Sequence, residues 1–326
     1  MAAAYQTGTA TSPTDLLQKL VTWLVAQGWT QDASAADGSG WRAHLHKGGL
    51  YANLRAAMNE SIWNYNNAAG YGIGLYLGDA YSGAASWKAQ SGGPIQSGTS
   101  NVIGAGMQLA AGAISAYHFF DDGADHISVV VEKSPGIFVH VGWGPTLAKV
   151  GFSSNYPYFY GSSAGFYNTS TPSGGPYPGH EATAICPMSQ QSYSGVLCST
   201  AFFKVDAAVF SAQWVSNGGA STTTAGWTGR NSRCALNLSP TADGAPGFIN
   251  YAPILGRVHQ TAYPGALLLP LHNFVATATA RYAPCGYPAS VFYCRAVGNG
   301  FAAGDVYPVG GVNYKLFPYF AVLKGA

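Results

Sequence analysis

The chain has 326 residues and a formal net charge of +2, and only 9% of its residues are charged, against a usual share of about a quarter. Its lysines and arginines are scattered singly, so no basic run exists that could track a phosphate backbone, and nucleic-acid binding is excluded. The 43 glycines and 21 tyrosines exclude a disordered chain and, with Val, Thr and many turn signals, point to β structure.

The first segment, MAAAYQTGTATSPTD, has neither a basic n-region nor an apolar h-region and does not read as a signal peptide. The longest apolar stretches are too short for a membrane span. The expectation is a chain made in a cytoplasm, soluble or assembled. Ser12-Pro13-Thr14-Asp15 then opens a helix, with Ser12 as cap, Pro13 at the first helical position and Asp15 in the first turn. Leu16, Leu17, Leu20, Val21, Leu24 and Val25 follow at helical spacing. Gly28 supplies a left-handed exit, and Trp29 folds back on the helix.

Trp41 to Leu45 and Leu50 to Met58 read as strands joined at Gly48-Gly49. Tyr71 to Leu77 reads as another. Trp87 begins a polar connection, SWKAQSGGPIQSGTS. A division near residues 95–100 would separate a helix-plus-hairpin region (1–100) from a β-rich region (101–326); one domain is the alternative. Two segments read as long loops, 153–180 with five tyrosines and 216–233, rich in Ser, Thr and Gly. Such composition suits adaptable binding surfaces. Phe274 to Tyr282 and Val291 to Val297 read as strands, and Val306 to Val309 with Val312 to Leu316 as a hairpin at Gly310-Gly311. Pro308 places that hairpin at a sheet margin. The expected fold class is mainly β, with antiparallel sheets in a sandwich-like arrangement, one N-terminal amphipathic helix and long loops.

Chemistry concentrates between Tyr117 and Gly144, YHFFDDGADHISVVVEKSPGIFVHVGWG. His126 to Glu132 reads as a strand that turns Ile127, Val129 and Val131 one way and His126, Ser128, Val130 and Glu132 the other. Ser134-Pro135-Gly136-Ile137 reads as a type II turn, which requires a positive φ at Gly136. Ile137 to Val141 returns as the partner strand. Could His126, Glu132 and His140 share a metal? His126 and Glu132 are six residues apart, roughly 20 Å along a strand, and zinc ligands must lie within about 2.3 Å of one ion. A three-residue loop would set His140 opposite Glu132, and a two-residue loop opposite Val131. Asp121, Asp122 and Asp125 with His126 lack the spacing of a calcium loop and read as turn residues at a strand entry.

Other patterns are weaker. Residues 161–165, GSSAG, match G-x-S-x-G, but the segment after them cannot start the helix a nucleophile elbow needs. His44 and His46 share a strand face, with no third ligand evident. Cys186, Cys198, Cys234, Cys285 and Cys294 form no CxxC pair; buried free thiols are expected, with a Cys285–Cys294 bridge as the exception. No catalytic, cofactor or metal residue is assigned.

The order of a short amphipathic helix ending Gly28-Trp29, then YHFF, HISVVVE and PGIFVHVGWG, with Leu147, Lys149 and Gly151 close behind, then a late FPYF, resembles a group of virion structural proteins of tailed bacteriophages. The resemblance is strongest over 117–151 and 306–320. It implies a β-rich, tail- or baseplate-associated protein, made in the host bacterial cytoplasm and incorporated in the virion beside copies of itself or other virion proteins. It supplies no catalytic residues. The alternatives are a binding protein for host-surface glycans or receptors, a capsid decoration protein, or a hydrolase using Asp122 and Asp125 or Glu132.

Overall fold

The computed structural model describes residues 2–60, 70–94, 104–145, 148–150, 157–164, 200–204, 214–216, 252–260, 263–273, 291–293, 302–309, 312–317 and 320–325. They form three sheets, and every strand pairing but one is antiparallel.

The central sheet runs β1 (Ala4–Ala10), β7 (Ile114–Asp121), β8 (Ile127–Ser134), β9 (Ile137–Pro145), β11 (Pro157–Gly161), β13 (Thr200–Lys204), β14 (Trp214–Ser216). A second sheet is ordered β12 (Ser163–Ala164), β6 (Ala105–Leu109), β5 (Gly70–Gly78), β4 (Leu50–Glu60), β3 (Gly40–Lys47), β2 (Thr30–Asp37). The C-terminal sheet joins β10 (Ala148–Val150), β16 (Tyr263–Asn273), β17 (Val291–Tyr293), β20 (Phe320–Gly325), β19 (Val312–Leu316) and β18 (Val306–Val309), with β15 (Ala252–Gln260) on β16.

The helix α1 (Pro13–Ala26) forms where its punctuation places it. Ser12 Oγ accepts the Asp15 amide at 3.1 Å. At the other end the amides of Gly28 and Trp29 bond the carbonyls of Val25 and Leu24 at 3.0 and 3.1 Å, with Gly28 at φ 84°; this is a Schellman cap. Leu16, Leu17, Leu20 and Leu24 are buried, while Val25 is 46% exposed, so the apolar stripe is narrower than its spacing suggests. The helix lies between the central and second sheets, touching β1 and β7 on one side and β3, β4 and β5 on the other. Away from the helix the two sheets close on each other at β6, β9 and β11. Gly161 and Gly106 meet there backbone to backbone, in a space that a side chain at Gly161 would fill.

One core cluster joins Leu17, Leu24 and Trp29 to Leu45, Leu54 and Leu75 of the second sheet and to Phe119, Val129, Val141 and Trp143 of the central sheet. Residues on both sides of position 100 share it, and β1–β7 and β5–β6 pair across the same position. Ile127, Val129 and Val131 face this cluster, as their alternation requires. The opposite face of the central sheet carries Tyr5, His118, Phe120 and Phe138, and Phe317 inserts among the last three. The C-terminal sheet is therefore a third layer.

The terminal hairpin β18–β19 pairs Val306 with Lys315 and Val309 with Val312, and Pro308 lies on the outermost strand of its sheet. Leu316 and Phe317 are buried within the chain itself. Two further differences from expectation stand out. Part of the Tyr-rich segment is the interior strand β11, and Tyr158 on it is fully buried, which removes it from any surface contact. Thr30–Asp37, too polar and too rich in Ala and Ser to read as a strand, forms β2. All five cysteines, the strand expected over 274–282, most of 216–233 and Gly310-Gly311 lie outside the described residues.

Gly136 has φ 76°, as a glycine after Pro135 in a type II turn requires. A Cβ added there meets nothing within 4 Å, so substitution costs backbone strain alone. Gly136→Val is expected to lose about 1–2 kcal/mol, read as a lower urea midpoint with an unchanged m value.

At the far end of the second sheet, Arg55 is 1% exposed. Its Nε lies 2.9 Å from Asp37 and its Nη2 2.8 Å from Glu60. The guanidinium fastens the end of β2 to β4. Arg55→Ala leaves two carboxylates facing a space that no longer holds a cation, and is expected to cost about 3–5 kcal/mol, measured by chemical denaturation.

Candidate functional site

The acidic stretch after β7 builds a turn. Asp121 Oδ1 accepts the Gly123 amide at 2.8 Å, and Asp122 Oδ1 accepts the amides of Ala124 (2.8 Å) and His126 (3.1 Å). Asp125 takes a positive φ of 68°. These are the self-closing hydrogen bonds that aspartate favours. The cation that reaches the turn is Lys47, at the end of β3. Its Nζ lies 2.6 Å from Asp125 Oδ1 and 3.0 Å from the Gln27 carbonyl. Burial pushes the Asp121 carboxyl up.

The structure keeps His126, Glu132 and His140 apart. The loop has two residues, Pro135 and Gly136, but a bulge at Lys133 shifts the register by one, so His140 sits opposite Val130 and Glu132 opposite Phe138. Neither expected register holds. The reason is that a type II turn splays a two-residue hairpin, and a bulge restores strand twist beside it. Glu132 turns to the Gly136 amide (2.9 Å) and Ser115 Oγ (3.2 Å). His126, at the other end of the strand, stacks on Tyr158 at 5.7 Å. Among the described residues, no three His, Cys, Asp or Glu side chains are grouped to hold a metal.

The shifted register brings a different set together. Thr7, His118, Val130 and His140 form one row across β1, β7, β8 and β9. His118, His126 and His140 are all buried on the face toward the C-terminal sheet. Burial pushes His118 and His126 down to about 4 and His140 to about 3. These rings are held neutral, as packing and hydrogen-bonding groups.

The second histidine cluster is more accessible. His44 and His46 share one face of β3, as their spacing requires. His46 Nδ1 lies 2.9 and 3.0 Å from the two oxygens of Asp32 on β2, and its ring stacks on Tyr51 at 5.1 Å. His44 Nδ1 lies 2.7 Å from Asn53 Oδ1 on β4, with the Tyr81 ring 4.9 Å away. With oxygen acceptors facing both Nδ1 atoms, each ring donates there. The His46 side chain is 29% exposed. Burial pushes His44 down.

Tyr81 is placed by the loop 79–94, which is wound around Gln90. That side chain accepts the Ser82 amide and donates to the carbonyls of Ser82, Ala85 and Ser86. Asp32 and Asn53, which orient the two rings, had no sequence signal: each arrives from a neighbouring strand. Ser163 of the G-x-S-x-G match lies with Ala164 in β12, which pairs with β6, and the residues directly after it lie outside the described residues.

No protein-family model matches the chain, and no curated protein does. Among the described residues no helix is long and apolar enough to cross a membrane.

Proposed function

We propose that the chain is a structural component of a tailed-phage virion, tail- or baseplate-associated, which assembles with copies of itself or with other virion proteins. The observation that carries this reading is β2. It is an eight-residue strand at the margin of the second sheet, paired with β3 on one side, and no strand among the described residues pairs with its other side. It contains no lysine and no proline, two of the devices that protect a sheet edge from another chain, and beyond its bulge at Asp32 the stretch Ala33–Asp37 pairs regularly with β3. Ser34, Ala35 and Ala36 are exposed along it, and small side chains let a second backbone approach.

The polar groups near the chemically suggestive motifs support the same reading. The aspartates of 121–125 close a turn, Glu132 holds a hairpin, and Arg55 pins a sheet end. The test is analytical ultracentrifugation of the chain, together with immunogold labelling of particles. The parent is expected to self-associate or to appear in the virion, and Ser34→Lys/Ala36→Lys is expected to lose that association with an unchanged melting temperature. A parent that stays monomeric at every concentration and is missing from particles overturns the reading.

A second reading, binding of host-surface glycans, is favoured by one observation: the partly exposed pair of Tyr51 and His46, fixed by Asp32, offers a flat aromatic face beside polar groups. Glycan-array binding that disappears in Tyr51→Ala would select it.

A further inference from the structure

Two lysines border one tyrosine ring where the edge of the central sheet meets the C-terminal sheet. Lys315 Nζ on β19 lies 5.5 Å from the centroid of the Tyr5 ring on β1, and Lys324 Nζ on β20 lies 5.3 Å from it. All three residues are partly exposed. Lys19, Lys47 and Arg55 each have a carboxylate partner; Lys315 and Lys324 have none among the described residues. Asp305, the acid nearest Lys315 in sequence, turns its carboxylate to the Ala302 amide at 2.8 Å. The Tyr5 ring attracts both ammonium groups, but a ring carries no net charge, so it leaves both positive charges unneutralised.

The third donor follows from a count of protons. Thr7 Oγ1 donates its one hydrogen to the Tyr117 carbonyl at 2.8 Å. The same oxygen lies 3.0 Å from His118 Nδ1. Thr7 has no second hydrogen to give, so His118 Nδ1 carries the proton and donates. Tyr5 Oη, 2.9 Å from that nitrogen, then also accepts from it. A protonated Nδ1 cannot take the tyrosine's hydrogen. The Tyr5 hydroxyl therefore keeps its own O–H for another acceptor, on the ring that the two ammonium groups border.

We infer that Lys315, Lys324 and Tyr5 form a binding site for a phosphate- or sulfate-type oxyanion, held by the two ammonium groups and the Tyr5 hydroxyl. The chemistry is the same for a free ion and for an ester on a sugar. An oxyanion suits the site because it presents several acceptor oxygens to donors on different strands. The site stands independently of the assembly reading, since it uses neither β2 nor any contact with a second chain.

The test is calorimetric titration of the full chain with inorganic phosphate and, separately, with glucose 6-phosphate, at ionic strength held constant with sodium chloride. Saturable binding of at least one probe is expected. Lys315→Gln/Lys324→Gln should weaken it about tenfold or more, the loss of roughly 1.4 kcal/mol, and Tyr5→Phe should weaken it less while keeping the ring. Lys315→Arg/Lys324→Arg retains both charges and is expected to bind, which separates loss of the site from loss of the fold. Tighter binding of the sugar ester than of phosphate assigns the site to an ester; equal binding assigns it to the free ion. No saturation by either probe in the parent, or equal affinity in the parent and the glutamine variant, overturns the site.

Discussion

Lowering the pH from 7 to 5 is expected to cost the protein about 6 kcal/mol of stability, before its carboxylates titrate. His118, His126 and His140 are buried on one face of the central sheet, and burial holds their folded-state values at about 4, 4 and 3. In the unfolded chain each returns to about 6.5. Between those values the unfolded chain binds protons that the folded chain refuses, so stability falls as pH falls. The contribution of each ring is complete above about 6.5 and is lost progressively toward its folded value. A shift of one unit corresponds to about 1.4 kcal/mol, so each histidine withdraws about 2 kcal/mol between pH 7 and 5 and the rest below it, against a typical total of about 5–15 kcal/mol. His44, also lowered by burial, acts in the same direction. Asp121 acts in the opposite one: burial raises its carboxyl, so the folded chain gains a proton first and a small part of the loss is offset. Urea titrations at half-unit steps from pH 7.5 to 4.5 measure this. A slope of about three protons near pH 5.5 is expected, and His118→Phe should reduce it by about one. A flat profile between pH 7 and 5 would show that the rings are solvated.

The helix was legible in the sequence because each of its signals is local: cap, proline, apolar spacing and exit glycine lie within one stretch of chain. The hairpin around Pro135-Gly136 was legible for the same reason, and its faces were assigned correctly. Its register was not. The bulge at Lys133 has no residue signature, and it moved His140 from Val131 to Val130. What failed elsewhere was long-range. β2 is made of residues with weak strand preference and exists because β3 pairs with it, which is tertiary context overriding propensity. With β2 unforeseen, Asp32 was unforeseen, and His46 remained a histidine with one neighbour on its own strand. The Tyr-rich segment reads as loop by composition, because Ser and Gly dominate the residues around PYFYG. Tyr5 stands at the opposite end of the chain from Lys315 and Lys324, and the three share no pattern that a sequence could display.

Deleting residues 306–326 is expected to give a chain that is recovered only from the insoluble fraction. The segment does not hang from the fold. β19 and β20 lie over the central sheet, with β20 touching β1 and β7. Tyr314, Leu316, Phe317, Val322 and Leu323 are each 4% exposed or less. Phe317 stands edge-on to His118 at 5.2 Å, to Phe138 at 5.1 Å and to Phe120 at 6.2 Å. Its removal would uncover Phe120 and Phe138 and would wet His118, which now sits neutral beside it. Exposed faces of that kind drive association without specificity. The deletion also strips β20 from β17 and leaves that strand its parallel pairing with β16. Phe317→Ala isolates the packing from the pairing. It keeps every strand and is expected to cost about 3–5 kcal/mol, the range for emptying a buried aromatic site. It should also raise the apparent titration point of His118 by admitting water beside its ring, followed by the imidazole proton resonance. A truncated chain that stays soluble and melts with the parent would show that the central sheet completes its core without the terminal hairpin. An intact Phe317→Ala variant with unchanged stability would show that the ring is a surface contact and that the third layer rests on the central sheet without anchoring it.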